Sequence, residues 1–189
     1  MRWERLFEDL EGQLEAAAAA ELAGEVAERT RIELGRLRFA DRLMAEVGEA
    51  VALGLQGGAS VEGRLERASE QWVVLRQGVQ PALIPLGAVI AVSGLGITAA
   101  EQRSAVLRRL SLASVLRAVA RDRSPVRIDL VSGRSVSGTV DAVGADHLDL
   151  AEHPADEPRR PAAVRRVLTV PFPAVAVLQP VAGSSSLLD

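Results

Sequence analysis

Apolar and polar residues alternate in two separate stretches of the chain, Val51–Leu75 and Val126–Leu150. Each stretch begins with apolar residues at every second position, which is the period of a strand with one buried face. A glycine-containing pair follows, and glycine suits a tight hairpin because it adopts positive φ without steric strain. The alternation then resumes over a second strand and, after a polar turn, over a third. The pattern therefore predicts three antiparallel strands in each stretch.

The two stretches are copies of one another. They align without a gap over 25 positions at an offset of 75 residues. Seven pairs of residues are identical: Val51/Val126, Leu55/Leu130, Gly58/Gly133, Ser60/Ser135, Val61/Val136, Gly63/Gly138 and Leu75/Leu150. Such self-similarity is typical of a tandem repeat of one structural unit. We therefore expect the two halves of the chain to share one fold.

A fourth and a fifth strand are predicted after each copy. They correspond to two short apolar runs in each half: Leu83–Pro85 and Ala88–Val92, then Thr169–Pro171 and Ala174–Leu178. Glycine inside a strand usually marks a bend, and we expect Gly63 and Gly138 to bend the second strand of each half. Five short strands bent at a glycine favour a small barrel that closes on itself and hides its edges.

The strand order resembles that of the Sm-like family of small β-barrels. Leu37–Val47 and Leu112–Arg121 look like that family's short helix before the first strand, and Leu130–Val140 (LVSGRSVSGTV) is similar to its first conserved motif. The resemblance covers roughly residues 37–95 and 110–180. It implies an α+β fold class: an N-terminal amphipathic helix followed by two small five-stranded Sm-like β-barrels, each with a short lead-in helix.

The chain departs from this family at the residues that contact RNA. RNA-binding members carry an Asp and an Asn in the turn between the second and third strands. The first copy has Ser69 and Trp72 at those places, and the second copy has Gly144 and His147. The RNA-contacting residues of the family therefore have no counterparts in this sequence.

The patterns divide the chain into five segments. These are an amphipathic helix (1–34), a first Sm-like barrel (35–98), an Arg-rich connecting segment (99–110), a second Sm-like barrel with a long 151–166 loop (111–180), and a flexible tail (181–189). Between residues 30 and 39 the periodicity fits either an added strand or the end of the helix.

The N-terminal segment has an apolar stripe at helical spacing. Trp3, Leu6, Phe7 and Leu10 follow steps of three and four, opposite an acidic face. Such a stripe is typical of an amphipathic helix. It covers the core of its own chain or docks on a partner, and on the second interpretation these four residues are the candidate partner-docking site. We expect a protein partner or self-association through this helix.

Charge is distributed unevenly although the net charge is only −3. Residues 1–30 carry 3 Arg and 8 acids, whereas residues 103–127 carry 7 Arg and 1 Asp. The candidate nucleic-acid contacts are Arg103, Arg108, Arg109, Arg117, Arg159, Arg160, Arg165 and Arg166. Nucleic-acid binding is possible but disfavoured, because the whole chain is acidic and no aromatic residues are interleaved with these arginines.

The sequence contains no recognisable catalytic or metal-binding arrangement. There is no Cys, and the two histidines, His147 and His153, have no third ligand near them in sequence. We therefore predict no catalytic, cofactor-binding or metal-binding residues, no cofactor and no enzyme activity. The acidic first 15 residues do not have the apolar run of an export signal or a membrane span, so a cytoplasmic protein without membrane contact is expected.

These observations predict a non-enzymatic interaction scaffold or adaptor built from two Sm-like barrels. The alternative is an RNA- or DNA-binding regulatory protein that uses the Arg-rich segment and the long loop of the second barrel. Salt dependence distinguishes the two, because binding to phosphates weakens steeply as salt rises.

Overall fold

The computed structural model describes residues 21–96, apart from 23, 26 and 33, together with residues 110–154 and 159–181. The chain divides into two compact units, Met1–Arg38 and Phe39–Asp189. In the first unit, the described residues from 21 to 36 are helical. The described residues of 30–36 are thus the end of a helix and not an added strand, and Phe39 begins the next helix.

The second unit is mostly β-structure. Its described helices are α1 (Phe39–Ala45) and α2 (Leu112–Asp122). Its strands are β1 (Ala50–Leu55), β2 (Ser60–Ala68), β3 (Trp72–Gln77), β4 (Gln80–Pro85), β5 (Val89–Ser93), β6 (Val126–Leu130), β7 (Ser135–Val143), β8 (His147–Glu152), β9 (Arg166–Pro171) and β10 (Val175–Pro180). Short 3-10 turns, Leu86–Ala88 and Phe172–Ala174, precede β5 and β10.

All ten strands belong to one open antiparallel sheet. Their order is β5-β1-β2-β3-β4-β10-β6-β7-β8-β9. The predicted fold class, two closed five-stranded barrels after an N-terminal helix, is therefore wrong. The fourth strand of the first half pairs with the last strand of the second half, through Leu83 and Leu178, so the first half does not close through β4 and β5. Each half covers one of its outer strands by pairing it with the other half, β4 with β10. The sequence pattern predicts instead that each half covers both of its outer strands by closing into a barrel.

The two halves of the sheet have the same strand order and the same register. Val51 pairs with Gly63 between β1 and β2, and Val126 pairs with Gly138 between β6 and β7. The pairing of β1 with β5 has a register shift beside the pair Leu55–Val89. The pairing of β6 with β10 has one beside the equivalent pair Leu130–Val175. The 75-residue offset in the sequence thus corresponds to equivalent positions in the sheet.

Gly63 and Gly138 lie where the backbone of the next strand passes very close. A Cβ atom at Gly63 would overlap the carbonyl oxygen of Arg76, and one at Gly138 would overlap that of Ala151. Both neighbours are backbone atoms of a paired strand, so they cannot move aside as the end of a flexible side chain does. These two positions require glycine because of the close approach.

Helix α2 covers the second half of the sheet through one apolar face. Leu112, Val115, Leu116 and Val119 are buried at steps of three and four. Ser111 begins the helix as its N-cap, and its hydroxyl accepts a hydrogen bond from the backbone N–H of Ser114 at 3.2 Å.

The hydrophobic cores of the two halves exchange residues across the junction between β4 and β10. Trp72, Val74 and Leu83 of the first half pack in the core of the second half, with helix α2. In return, Ala176 and Val177 of β10 pack in the core of the first half. The junction is therefore an apolar interface as well as a strand pairing.

Two hydrogen bonds fix the start of the second half to the first. The indole Nε1 of Trp72 donates to the carbonyl of Leu110 at 2.8 Å, and the backbone N–H of Leu112 donates to Oε1 of Gln71 at 2.9 Å. The second bond satisfies an N–H group that the first turn of a helix leaves without a partner. The first half therefore orients helix α2.

We expect Gly138→Ala to destabilise the fold by about 1–3 kcal/mol, because the added methyl group forces β7 and β8 apart. Gly87→Ala is the matched control, since a Cβ atom there has no heavy atom within 4 Å. The measurement is the free energy of unfolding in urea. Equal stability of both variants and the wild type would contradict the close approach of the two strands.

Candidate functional site

The two outermost strands of the described sheet are β5 and β9. An outermost strand presents backbone N–H and C=O groups to which a further strand can bind. We call these two strands the β5 edge (Val89–Ser93) and the β9 edge (Arg166–Pro171). They are the candidate interaction surfaces of this fold.

The β5 edge is apolar and carries no charge. Its sequence is VIAVS, and the side chain of Ile90 is 67% exposed. Proteins commonly protect an outer strand with a charged side chain, a proline or a bulge that turns it away. Here the register shift beside Leu55 and Val89 is the only such feature within the strand pairing. An exposed apolar outer strand is a recognised place for the addition of another strand.

The β9 edge is more polar but also carries an exposed apolar side chain. Val167 is 58% exposed. Beside it, Nε of Arg166 donates to a carboxylate oxygen of Glu152 at 2.5 Å, and the hydroxyl of Thr169 donates to Asp149 at 2.6 Å. The strand ends at Pro171, which has no N–H to donate. The two edges therefore differ in polarity.

Arginines perturb the titration of Glu152 beside the β9 edge. The hydrogen bond from Arg166 lowers the pKa of the Glu152 carboxyl, and the nearby charges of Arg134 and Arg165 lower it further. Partial burial opposes this effect because it disfavours the charged form. Glu152 is thus held as a carboxylate and neutralises part of the local positive charge.

Among the candidate nucleic-acid arginines that the structure describes, Arg117, Arg159 and Arg166 have hydrogen-bond partners within the chain. Arg159 donates to Asp141 at 2.7 Å, and this carboxylate raises the pKa of the Arg159 guanidinium. Arg117 donates to the carbonyl of Gly144 at 3.0 Å. Arg160 and Arg165 are exposed. The described arginines are thus partly committed to partners within the chain.

The remaining candidate residues of the sequence patterns lie outside the described residues. They are the docking residues Trp3, Leu6, Phe7 and Leu10, and the arginines Arg103, Arg108 and Arg109. Their proposed roles stay predictions.

The two histidines have separate partners. Nδ1 of His147 lies 2.8 Å from a carboxylate oxygen of Asp146, and this hydrogen bond lowers the pKa of the Asp146 carboxyl. His153 is buried, with Nδ1 placed 2.8 Å from the carbonyl of Pro154 and Nε2 placed 2.9 Å from the hydroxyl of Thr139. Since a carbonyl only accepts, Nδ1 donates to Pro154, and Nε2 and the Thr139 hydroxyl share the second hydrogen bond. This buried pair has a structural role at the start of the long loop.

Among the described residues, no group of three or more His, Cys, Asp or Glu side chains is arranged to hold a metal ion. In the same part of the chain, no helix has the length and apolar character needed to cross a bilayer.

Comparison of the sequence with protein-family models and with curated proteins finds no match. The resemblance to the Sm-like family therefore stays a prediction.

The sequence predicts β5 as a strand of a closed barrel, which has a neighbour on each side. In the structure this uncharged strand is an outermost strand of the sheet. The buried partner of His153 had no comparable signal, because Thr139 lies 14 positions away on another strand.

We expect Glu152→Gln to remove a pH-dependent part of the stability. The pKa of Glu152 is lowered in the folded protein, so its ion pair stabilises the fold above the unfolded value of about 4.3. That stabilisation is lost as the pH falls through the lower folded value. The difference between wild type and variant in the free energy of unfolding should therefore shrink as the solution is acidified.

Urea unfolding at a series of pH values measures this difference. Glu62→Gln, which changes an exposed carboxylate on β2, is the matched control for the loss of one carboxylate. A constant difference between wild type and Glu152→Gln at all pH values would show that the ion pair with Arg166 does not stabilise the fold.

We also expect no submicromolar binding of random single-stranded RNA or duplex DNA at near-physiological salt. The net charge is −3, and Arg159 and Arg166 already pair with carboxylates. A gel-shift titration measures this. Tight binding that weakens steeply with salt, and that is reduced in Arg160→Ala and Arg165→Ala, would instead support the regulatory alternative.

Proposed function

We propose that the protein is a non-enzymatic interaction scaffold that acts in the cytoplasm and binds protein segments at the edges of its sheet. One observation carries this proposal: both outermost strands of the described sheet present a large apolar side chain to solvent, Ile90 on β5 and Val167 on β9. Strand addition at an exposed sheet edge is a common mode of peptide recognition.

The β5 edge supplies both parts of such a binding site. The backbone groups on its outer side bond to an added strand and contribute affinity without reading its sequence. Ile90 offers an apolar contact, and burial of a side chain of this size stabilises a complex by about 1.5–3 kcal/mol. We therefore expect ligands that are extended and that place an apolar residue beside Ile90.

The β5 edge is held in place by the rest of the sheet. Its inner side pairs with β1, where Leu53 lies opposite Val92 and Leu55 lies opposite Val89. Just beyond β5, Arg42 of helix α1 donates two hydrogen bonds to the carbonyl of Gly96, at 3.1 and 2.8 Å. Glu46 accepts from the N–H of the same Gly96 at 2.7 Å. An edge fixed in this way loses little conformational freedom on binding.

The amphipathic N-terminal segment adds a second candidate surface to this scaffold. Its predicted docking stripe, Trp3, Leu6, Phe7 and Leu10, has the spacing of a helix that lies in an apolar groove. The nucleic-acid alternative has less support, because ion pairs within the chain neutralise Arg159 and Arg166.

Selection from a displayed library of linear peptides, with the full-length chain as target, tests the proposal. The selected peptides are then measured by fluorescence anisotropy. Ile90→Arg should weaken their binding at least about tenfold, because it replaces an apolar contact of roughly 1.4 kcal/mol or more by a charge.

Val79→Arg is the matched control. Val79 is 88% exposed but lies in the turn between β3 and β4, away from both outer strands, so this variant should bind the peptides as the wild type does. Failure to select any peptide, or selected peptides that bind Ile90→Arg and Val167→Arg as tightly as the wild type, would overturn binding at the sheet edges.

A further inference from the structure

A group of arginines surrounds one carboxylate where β8 ends and β9 begins. Glu152 is the last residue of β8 and lies opposite Arg166, the first residue of β9. Arg165 comes directly before β9, and its backbone N–H donates to the carbonyl of Glu152 at 2.8 Å. Arg134 comes directly before β7, whose Gly138 pairs with Glu152. We call Arg134, Glu152, Arg165 and Arg166 the basic cluster.

The strand register places Arg134 on the same face of the sheet as Glu152. Every second side chain of a strand lies on one face. Arg134 precedes the first residue of β7, so it continues the row of Val136 and Gly138. Glu152 is the partner of Gly138 on β8 and therefore belongs to this row. Residues from three neighbouring strands thus meet at one end of the sheet.

Positive charge exceeds negative charge in the basic cluster. The hydrogen bond from Arg166 lowers the pKa of the Glu152 carboxyl most, and the charges of Arg134 and Arg165 lower it further, so both of these guanidinium groups lie near it. Within the described part of the chain, the ion pair of the cluster is that of Arg166 with Glu152, at 2.5 Å. Arg134 and Arg165 are exposed. Three positive charges therefore face one negative charge.

The first half of the sheet has no charge at the equivalent positions. By the offset of 75 residues and the pairing of the third and fourth strands, the counterparts of the basic cluster are Ala59, Gln77, Val79 and Gln80. Gln77 lies opposite Gln80, as Glu152 lies opposite Arg166. The first half forms the same strands without these charges. The fold of the repeat therefore does not require them.

We propose that the basic cluster is a binding site for the carboxylate side chains of an acidic protein segment, which Arg134 and Arg165 hold. A guanidinium group presents a planar fork of donors that matches the two oxygens of a carboxylate. Arg166 already binds the carboxylate of Glu152 within the cluster. The site is additional to strand addition at the sheet edges, because side chains and not the outer backbone of a strand make the contact.

The local charges favour a short acidic segment over a nucleic acid. Glu152 repels every anion that approaches the cluster, and it repels a doubly charged phosphate more strongly than a singly charged carboxylate. A nucleic acid also brings phosphates that extend beyond the cluster, and the chain as a whole has a net charge of −3. A short acidic segment places its few charges on the cluster alone.

Glu152 has a second effect, since it limits the affinity of the site. It occupies Arg166, and its charge opposes an incoming carboxylate. The acidic segment therefore binds reversibly, with Arg134 and Arg165 as its main contacts.

Fluorescence anisotropy with the full-length chain at low ionic strength tests this inference. The probe is a labelled hexaglutamate peptide with blocked ends, and hexaglutamine is the neutral control peptide. Hexaglutamate should bind and hexaglutamine should not, and added salt should weaken the binding because it screens exposed charges. No binding of hexaglutamate overturns the proposal.

Substitution of the two exposed arginines locates the site. Arg134→Gln and Arg165→Gln should each weaken binding of hexaglutamate about threefold, and both together about tenfold, as expected for the loss of exposed ion pairs. Arg67→Gln is the matched control, because it removes the same charge from an exposed position on β2. If this control weakens binding as much, net charge and not the cluster attracts the peptide, and the proposal is wrong.

Removal of the competing carboxylate should act in the opposite direction. Glu152→Gln should bind hexaglutamate about threefold more tightly, because it removes a negative charge and releases Arg166. Urea unfolding verifies that the variant is folded at the pH of the measurement. Unchanged or weaker binding by the folded variant would place the peptide away from Glu152 and overturn the proposal.

Two further measurements separate this site from other kinds of binding. A uridine oligonucleotide of the same length that binds more tightly than hexaglutamate, and loses affinity in Arg134→Gln and Arg165→Gln, would make the cluster a phosphate site and overturn the proposal. Ile90→Arg should bind hexaglutamate as the wild type does. Failure of hexaglutamate to bind, while selected peptides still bind the β5 edge, overturns the basic cluster as a site and leaves the scaffold proposal standing.

Discussion

The packing of Trp72 against the second half of the molecule is the contact on which the rest of the structure depends. Trp72 is 2% exposed, and it packs in the core of the second half although it belongs to a strand of the first half. Its N–H holds the carbonyl of Leu110, and its neighbour Gln71 accepts from the first N–H of helix α2. A single strand pairing between β4 and β10 would leave two small sheets weakly joined. The tryptophan and the apolar residues around it join the two halves through an apolar interface.

This arrangement solves the problem of size for each half. A unit of five short strands buries a smaller share of its surface than a larger domain does, so its stability alone would be marginal. Here the first half contributes Val74 and Leu83 to the second core, and the second half contributes Ala176 and Val177 to the first. Each half thus completes the other, and the sheet can remain open at its two ends.

Local features of the fold could be predicted from the sequence, but the partner of each strand could not. Alternation and glycine positions predicted strands at all ten places, because the side chains of a strand alternate between faces regardless of which strand lies beside it. The pairing of β4 with β10 depends on residues far apart in the chain, which periodicity does not report.

One signal for the shared interface was nevertheless present. The run WVVL in β3 is apolar at four successive positions, which is typical of a strand buried on both faces, whereas HLDL in β8 alternates. This contrast separates the strand at the junction from its counterpart at the end of the sheet. The sequence does not predict the candidate site for the same reason, because the closed barrels that its pattern favours have no exposed strand edges.

The connection between Leu83 and Leu178 also has a consequence for the order of folding. These two residues are about 95 positions apart in the chain, whereas the hairpins β1–β2 and β6–β7 join residues separated by a short turn. Because closing a long loop loses more chain entropy than closing a short one, we expect the hairpins to form before the junction. In that order of folding, β4 and β10 would stay open edges until the junction forms, and Trp72 would be without its cover. Four strand edges, and not two, would then be open to aggregation.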